Sequence, residues 1–129
     1  MESYMKSVRL IYGSTTQDAA LYNADLRWRI RMVLHDPHFF IEFPRLRRAV
    51  LIAGALEINR ARKEARGVSV ESADELRKET GAGEPFGAIA ALLRRHRVQT
   101  IIIHPDTPVE IAERLRLRFR VRVGSRPWY

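Results

Sequence analysis

The sequence contains no cysteine. A disulfide framework, a cysteine-based zinc site, an iron–sulfur cluster and a thiol nucleophile are therefore excluded. Long apolar runs are also missing, and none approaches the ~18 residues that span a bilayer. The N-terminus lacks the apolar stretch of a signal peptide, so a cytoplasmic location without membrane contact is the expectation. Lysine is scarce: of 23 basic residues only 3 are lysine and 20 are arginine.

What remains is a chain of 129 residues, 46% hydrophobic and 29% charged. That balance is globular rather than disordered, and the length suits one domain over residues 1–129. The net charge is +8. Arginine pairs in bidentate fashion with carboxylate or phosphate and stacks on aromatic faces. Three readings fit this excess. One is genome composition, or surface ion-pair networks of a heat-adapted (thermophile) organism, which the lack of cysteine also favours. The second is a nucleic-acid or other anionic partner, and the third is an acidic neighbouring domain or subunit. Phe43 to Arg66 holds seven basic and two acidic residues, and Arg94 to Arg126 holds nine and three. Both stretches are periodic and structured, not basic tails.

Val8 to Tyr12 reads as a first strand ending at Gly13. Ala19 to Ile30 carries helical spacing through Leu21, Ala24 and Trp28, which points Trp28 inward and leaves Arg27, Arg29 and Arg31 in water. Pro37 breaks the chain. His38 to Phe43 and Arg47 to Ala53 form a hairpin of two strands. Gly54 to Ala65 is a helix stopped by Gly67, followed by a short strand at 68–70. Ser72 and Glu75 form a capping box that opens a helix to about Thr80. Gly81-Ala82-Gly83 is a flexible joint, and Pro85 begins the next helix. Val98 to Ile103 is the strongest strand, with three isoleucines that suit burial on both faces. Thr107-Pro108-Val109-Glu110 reads as a second capping box with proline at the first helical position. Phe119, Val121 and Val123 alternate with Arg120 and Arg122, as in a half-exposed strand. Helices between strands need parallel crossovers, and the hairpin adds an antiparallel element. The fold class is therefore α/β, a three-layer domain with a mixed, mostly parallel sheet flanked by helices.

Four places merit attention for chemistry. His35, Asp36 and His38 are ligand-capable, but a catalytic metal site draws ligands from separate segments. Crowded around Pro37, they better suit a loop entering a strand, with His38 half-buried. His104 and Asp106 sit at the C-terminal end of the central strand, where ligands bind in open α/β sheets. The following helix aims its amides there. The plainer account is that Pro105 shapes the turn while Asp106 and Thr107 cap the helix. Trp28 with Arg27, Arg29 and Arg31 offers a stacking and charge surface. Trp128 and Tyr129, large groups in the tail, either dock back or belong against something else. Gly81, Gly83 and Gly87 follow a helix and lack a Lys-Ser/Thr pair, so they do not form a phosphate loop. Ser14, Thr15 and Thr16 have no partner base at a telling spacing.

Taken in order, several segments resemble the N-terminal domain of the creatinase, prolidase and Xaa-Pro aminopeptidase family. They are Asn23-Ala24-Asp25-Leu26-Arg27-Trp28, Asp36-Pro37-His38-Phe39-Phe40-Ile41-Glu42 and Arg48-Ala49-Val50-Leu51-Ile52. The helix from Ala55 to Ala65 follows, then Ile89 to Ile103, Pro105-Asp106-Thr107-Pro108 and Ala112-Glu113-Arg114-Leu115. The resemblance covers residues 8 to 123. Where the family commonly shows threonine-glycine after the aromatic position, this chain has Ile30-Arg31.

The resemblance implies a ribonuclease H-like α/β domain that precedes a metallopeptidase domain absent from this chain. It implies no catalytic, cofactor or metal residue here. Two divalent ions (manganese, cobalt or zinc) would belong to the missing catalytic domain. The implied partners are a second copy, as a dimer, or that C-terminal domain. Trp28, Arg31, His35, Asp36, His104, Asp106, Trp128 and Tyr129 would then line an interface or the edge of a substrate path. A basic module for nucleic acid or another anion is the alternative.

Overall fold

The computed structural model describes residues 7–80, 85–125 and 128. The strands are β1 (Ser7–Gly13), β2 (His38–Phe43), β3 (Arg48–Ala53), β4 (Ser69–Ser72), β5 (Thr100–Ile103) and β6 (Arg120–Val123). The helices are α1 (Ala24–Ile30), α2 (Ile58–Glu64), α3 (Ala73–Thr80), α4 (Pro85–Arg95) and α5 (Val109–Arg116). One six-stranded sheet has the order β4-β3-β2-β1-β5-β6. β2 runs antiparallel to both neighbours, and the other pairings are parallel. The mixed, mostly parallel sheet expected from the sequence is what forms.

The sheet has two buried faces because side chains alternate along each strand. Val8, Leu10, Phe39, Ile41, Val50 and Ile103 pack with Leu76 of α3, Ile89 and Leu92 of α4, and Leu115 of α5. Ile11, Phe40 and Leu51 pack on the other face with Leu26 and Ile30 of α1 and Ala61 of α2. This is the three-layer arrangement. Ile101 and Ile103 join the first layer, while Ile102 is half-buried against the second.

Gly13 ends β1 where the chain returns beside it. A Cβ there would lie 2.9 Å from both Asn23 Cβ and the Leu21 carbonyl oxygen. The Ser14 amide donates to Leu21 O and the Asn23 amide donates to Ser14 O. Residues 14–23 thus form a loop, and the first helix starts at Ala24 rather than at Ala19. Asn23 caps it by accepting from the Leu26 amide at 2.9 Å. Likewise α2 begins at Ile58, after a turn from Gly54.

The Ser72 hydroxyl accepts from the Glu75 amide at 3.2 Å, so the first predicted capping interaction forms. The second does not. Pro108 is itself the N-cap, in extended conformation, and Thr107 Oγ1 donates back to His104 O at 2.6 Å. The Gly81–Gly83 joint lies outside the described residues.

Candidate functional site

Because β1, β3, β4, β5 and β6 share one direction, their C-terminal ends gather along one edge. His104 follows β5 at that edge and is 1% exposed. Its Nδ1 accepts from the Asp106 amide at 3.0 Å and faces Asn23 Nδ2 at 3.3 Å. A backbone amide can only donate, so the ring proton sits on Nε2. From there it is donated to Asp25 Oδ2 at 2.7 Å. Both ring nitrogens are therefore committed within the fold. His104 ties β5 to the first turn of α1 and leaves no free nitrogen to accept a substrate proton.

Trp128 packs against this histidine, with ring centroids 5.0 Å apart. The tail docks back: Trp128 is 3% exposed and belongs to the layer of α1 and α2. The Arg9 guanidinium lies 4.1 Å over its ring and donates to its carbonyl. A Cβ on Gly124 would overlap Trp128 Cζ3 and fall 3.1 Å from Ile102 Cγ2, so the glycine makes the room that the indole occupies. Tyr129 lies outside the described residues.

Arg9, Arg29 and Glu42 form a partly buried charge cluster, so Arg29, expected in water beside Arg27 and Arg31, is instead half-buried against Glu42. Arg29 donates to Glu42 Oε2, and Arg9 Nη1 is 3.9 Å from Oε1. Their signal was an ionic residue on each of two apolar strands. Arg9 and Glu42 turn out to be register partners.

The His35, Asp36 and His38 cluster does not converge. His35 is exposed and meets Thr16 Oγ1 at 3.3 Å. His38 is more buried than expected, at 8%, and its Nδ1 donates to the Asp36 carbonyl at 2.7 Å. Among the described residues no group of three or more His, Cys, Asp or Glu is placed to hold a metal ion. Asp36 and His38 instead line an open cleft at the same edge, with Tyr12, Leu56, Asp74 and Arg77. Asp74 and Arg77 form an ion pair there. Burial, and then the charge of Glu110, pushes the Tyr12 phenol above its ordinary range. Leu56, at the cleft, is 98% exposed.

Trp28 contradicts the inward orientation read from the sequence. It is 67% exposed. Leu26 and Ile30, four residues apart, hold α1 on the sheet. Trp28 lies between them, about 200° around the helix from each. Arg31 stacks on it, with the guanidinium carbon 5.0 Å from the ring centroid.

No family model matches the sequence, and no curated protein matches it. Solved structures do. A Xaa-Pro dipeptidase from Bacillus anthracis aligns with a TM-score of 0.65 at 14% identity, covering 92% of this chain and 28% of that one. An aminopeptidase P from Streptococcus thermophilus also gives 0.65, at 8% identity, covering 92% and 78%. A creatinase/prolidase N-terminal domain of an X-Pro dipeptidase from Streptococcus pyogenes gives 0.60 at 16%, covering 91% and 79%. The fold is thus that of the creatinase/prolidase N-terminal domain. This chain spans little more than a quarter of the Bacillus anthracis dipeptidase. No helix among the described residues is long and apolar enough to cross a membrane.

Proposed function

We propose that residues 1–129 are a non-catalytic N-terminal domain of a Xaa-Pro peptidase-like protein of the cytoplasm. Its role would be oligomerisation and the shaping of access to a peptidase site on another domain. One observation carries this reading: 92% of this chain superposes on only 28% of a Xaa-Pro dipeptidase. A prolidase from Pyrococcus horikoshii repeats the proportion, at 95% and 29%. The chemistry, with two divalent ions (manganese, cobalt or zinc), belongs in this reading to the remaining part of such a protein.

The internal commitments of His104 support a scaffolding part for it. The residues proposed to face a second copy or a C-terminal domain are the exposed ones: Trp28, Arg31, His35, Asp36 and Asp106.

The test is direct. The purified chain, supplied with manganese, cobalt or zinc, should not hydrolyse Xaa-Pro dipeptides. It should sediment as a dimer or bind a separately produced prolidase-type C-terminal domain. Robust hydrolysis by the chain alone overturns the assignment of chemistry. A monomer that binds no such domain overturns the assembly role.

A further inference from the structure

Among the described residues three non-glycines have positive φ, and all three are arginine: Arg31 (54°), Arg47 (50°) and Arg97 (55°). Left-handed backbone ordinarily selects glycine or asparagine, because a Cβ crowds the following carbonyl. Arg31 and Arg47 are the left-handed caps that end α1 and the turn at 44–46, an ordinary way to stop a helix, so the unusual feature is that arginine fills all three places. Arg47 closes the β2–β3 turn, and Arg97 lies between α4 and β5. Both sit at the edge where β1, β3, β5 and β6 begin, opposite the His104 edge. Arg31 ends α1, whose last carbonyl, from Ile30, accepts from the Arg66 amide. Gly67 and Arg47 then line one groove, which brings the ends of α1 and α2 to this edge. Arg120 opens β6, and Arg122 shares a sheet face with Arg9.

These six arginines, at 31, 47, 66, 97, 120 and 122, are all exposed. None has a carboxylate partner among the described residues. Helix dipoles account for cations at the ends of α1 and α2. They do not account for Arg47 in a hairpin or for Arg120 and Arg122 in a strand. The edge spans five strand spacings, about 24 Å.

Arginine and tryptophan also occur at protein interfaces, but the centres of those are otherwise depleted of charge. Surfaces for nucleic acid are strongly positive. At the border of this one stands the exposed Trp28, with Arg31 on one ring face. An exposed indole takes a base by stacking, which requires an unpaired strand. We propose that this edge, from Trp28 to Arg122, is a docking surface for single-stranded nucleic acid, which takes Trp28 and Arg31 in place of the protein contact proposed for them above and leaves His35, Asp36 and Asp106 to that contact. The arginines meet phosphates and Trp28 meets a base.

Fluorescence anisotropy of a labelled oligo-U of about twelve nucleotides tests it on the full chain. Binding should weaken with salt along a log–log slope of about −4, as six phosphate contacts to a single strand require. Arg47→Gly and Arg97→Gly suit the backbone, so they should leave the melting temperature unchanged or raised. Each should flatten the slope by about 0.7. Lys78→Gln, on α3, should leave binding unchanged. Trp28→Ala should weaken oligo-U about tenfold and leave binding of inorganic polyphosphate intact. Absence of binding at low salt overturns the proposal. So do glycine variants that bind like the parent, a Trp28→Ala variant that binds both probes like the parent, and polyglutamate that binds as tightly as oligo-U. The last result would indicate an acidic protein instead.

Discussion

His104 donates its Nε2 proton to Asp25 across 2.7 Å, joining the end of β5 to the first turn of α1. The donor is buried and the acceptor is partly exposed. Asp25→Ala leaves that N–H without its partner. A loss of about 1–3 kcal/mol in unfolding free energy is expected, read from urea denaturation. A midpoint equal to that of the parent would show that the bond contributes nothing.

Gly124 and Trp128 define a coupled pair. Gly124→Ala places a methyl inside the volume of the indole, so the tail must leave. Trp128→Ala empties the same volume and should cost about 3 kcal/mol. With the indole gone, the added methyl has far less to displace. The double variant should therefore be clearly less destabilised than the sum of the singles. Additive losses in a thermal or urea series would refute the coupling.

Gly13 is a harsher case, because one of its neighbours is backbone. A Cβ would lie 2.9 Å from the Leu21 carbonyl oxygen, which is held by the Ser14 amide. Gly13→Ala should cost about 1–3 kcal/mol through overpacking. Gly54→Ala is the matched control, since nothing lies within 4 Å of a Cβ there. Similar melting temperatures for the two variants would argue against this account.

His96 carries a pH signature. Burial first, and then Arg48 and Arg95, lowers its folded-state pKa. The unfolded chain therefore binds the proton more readily. This contribution to stability is complete above the unfolded value, about 6.5. It is lost as pH falls through the lower folded value. His96→Gln should lose less stability than the parent between pH 7.5 and 5, measured by denaturant midpoints. Parallel losses in the two proteins would remove His96 as the cause.

The order of all eleven elements was legible, because apolar period and proline and glycine breaks are local signals. Trp28 was not. Counting the helix from Ala19 groups Leu21, Ala24 and Trp28 on one side. The loop held by Ser14 and Asn23 removes the first turns, and Leu26 with Ile30 then sets the buried side. A large ring looks like core until the helix phase is known. Thr107 failed for a related reason: its hydroxyl has two possible partners, and the extended Pro108 turns it toward His104. The candidate site was legible as a place and not as a set of bonds. His104 and Asp106 were placed at the strand end, but Asp25 comes from 79 positions away, and no local spacing announces it.

The two outermost strands limit how this molecule can assemble. β4 and β6 are four residues each, and β6 reads Arg-Val-Arg-Val with both arginines in solvent. A second sheet edge laid beside β6 would have to desolvate those guanidinium groups, which discourages strand addition. Growth of the sheet from one molecule into the next is therefore disfavoured on that side. On the β6 side, self-association has to run through helices and loops rather than through a β-ladder.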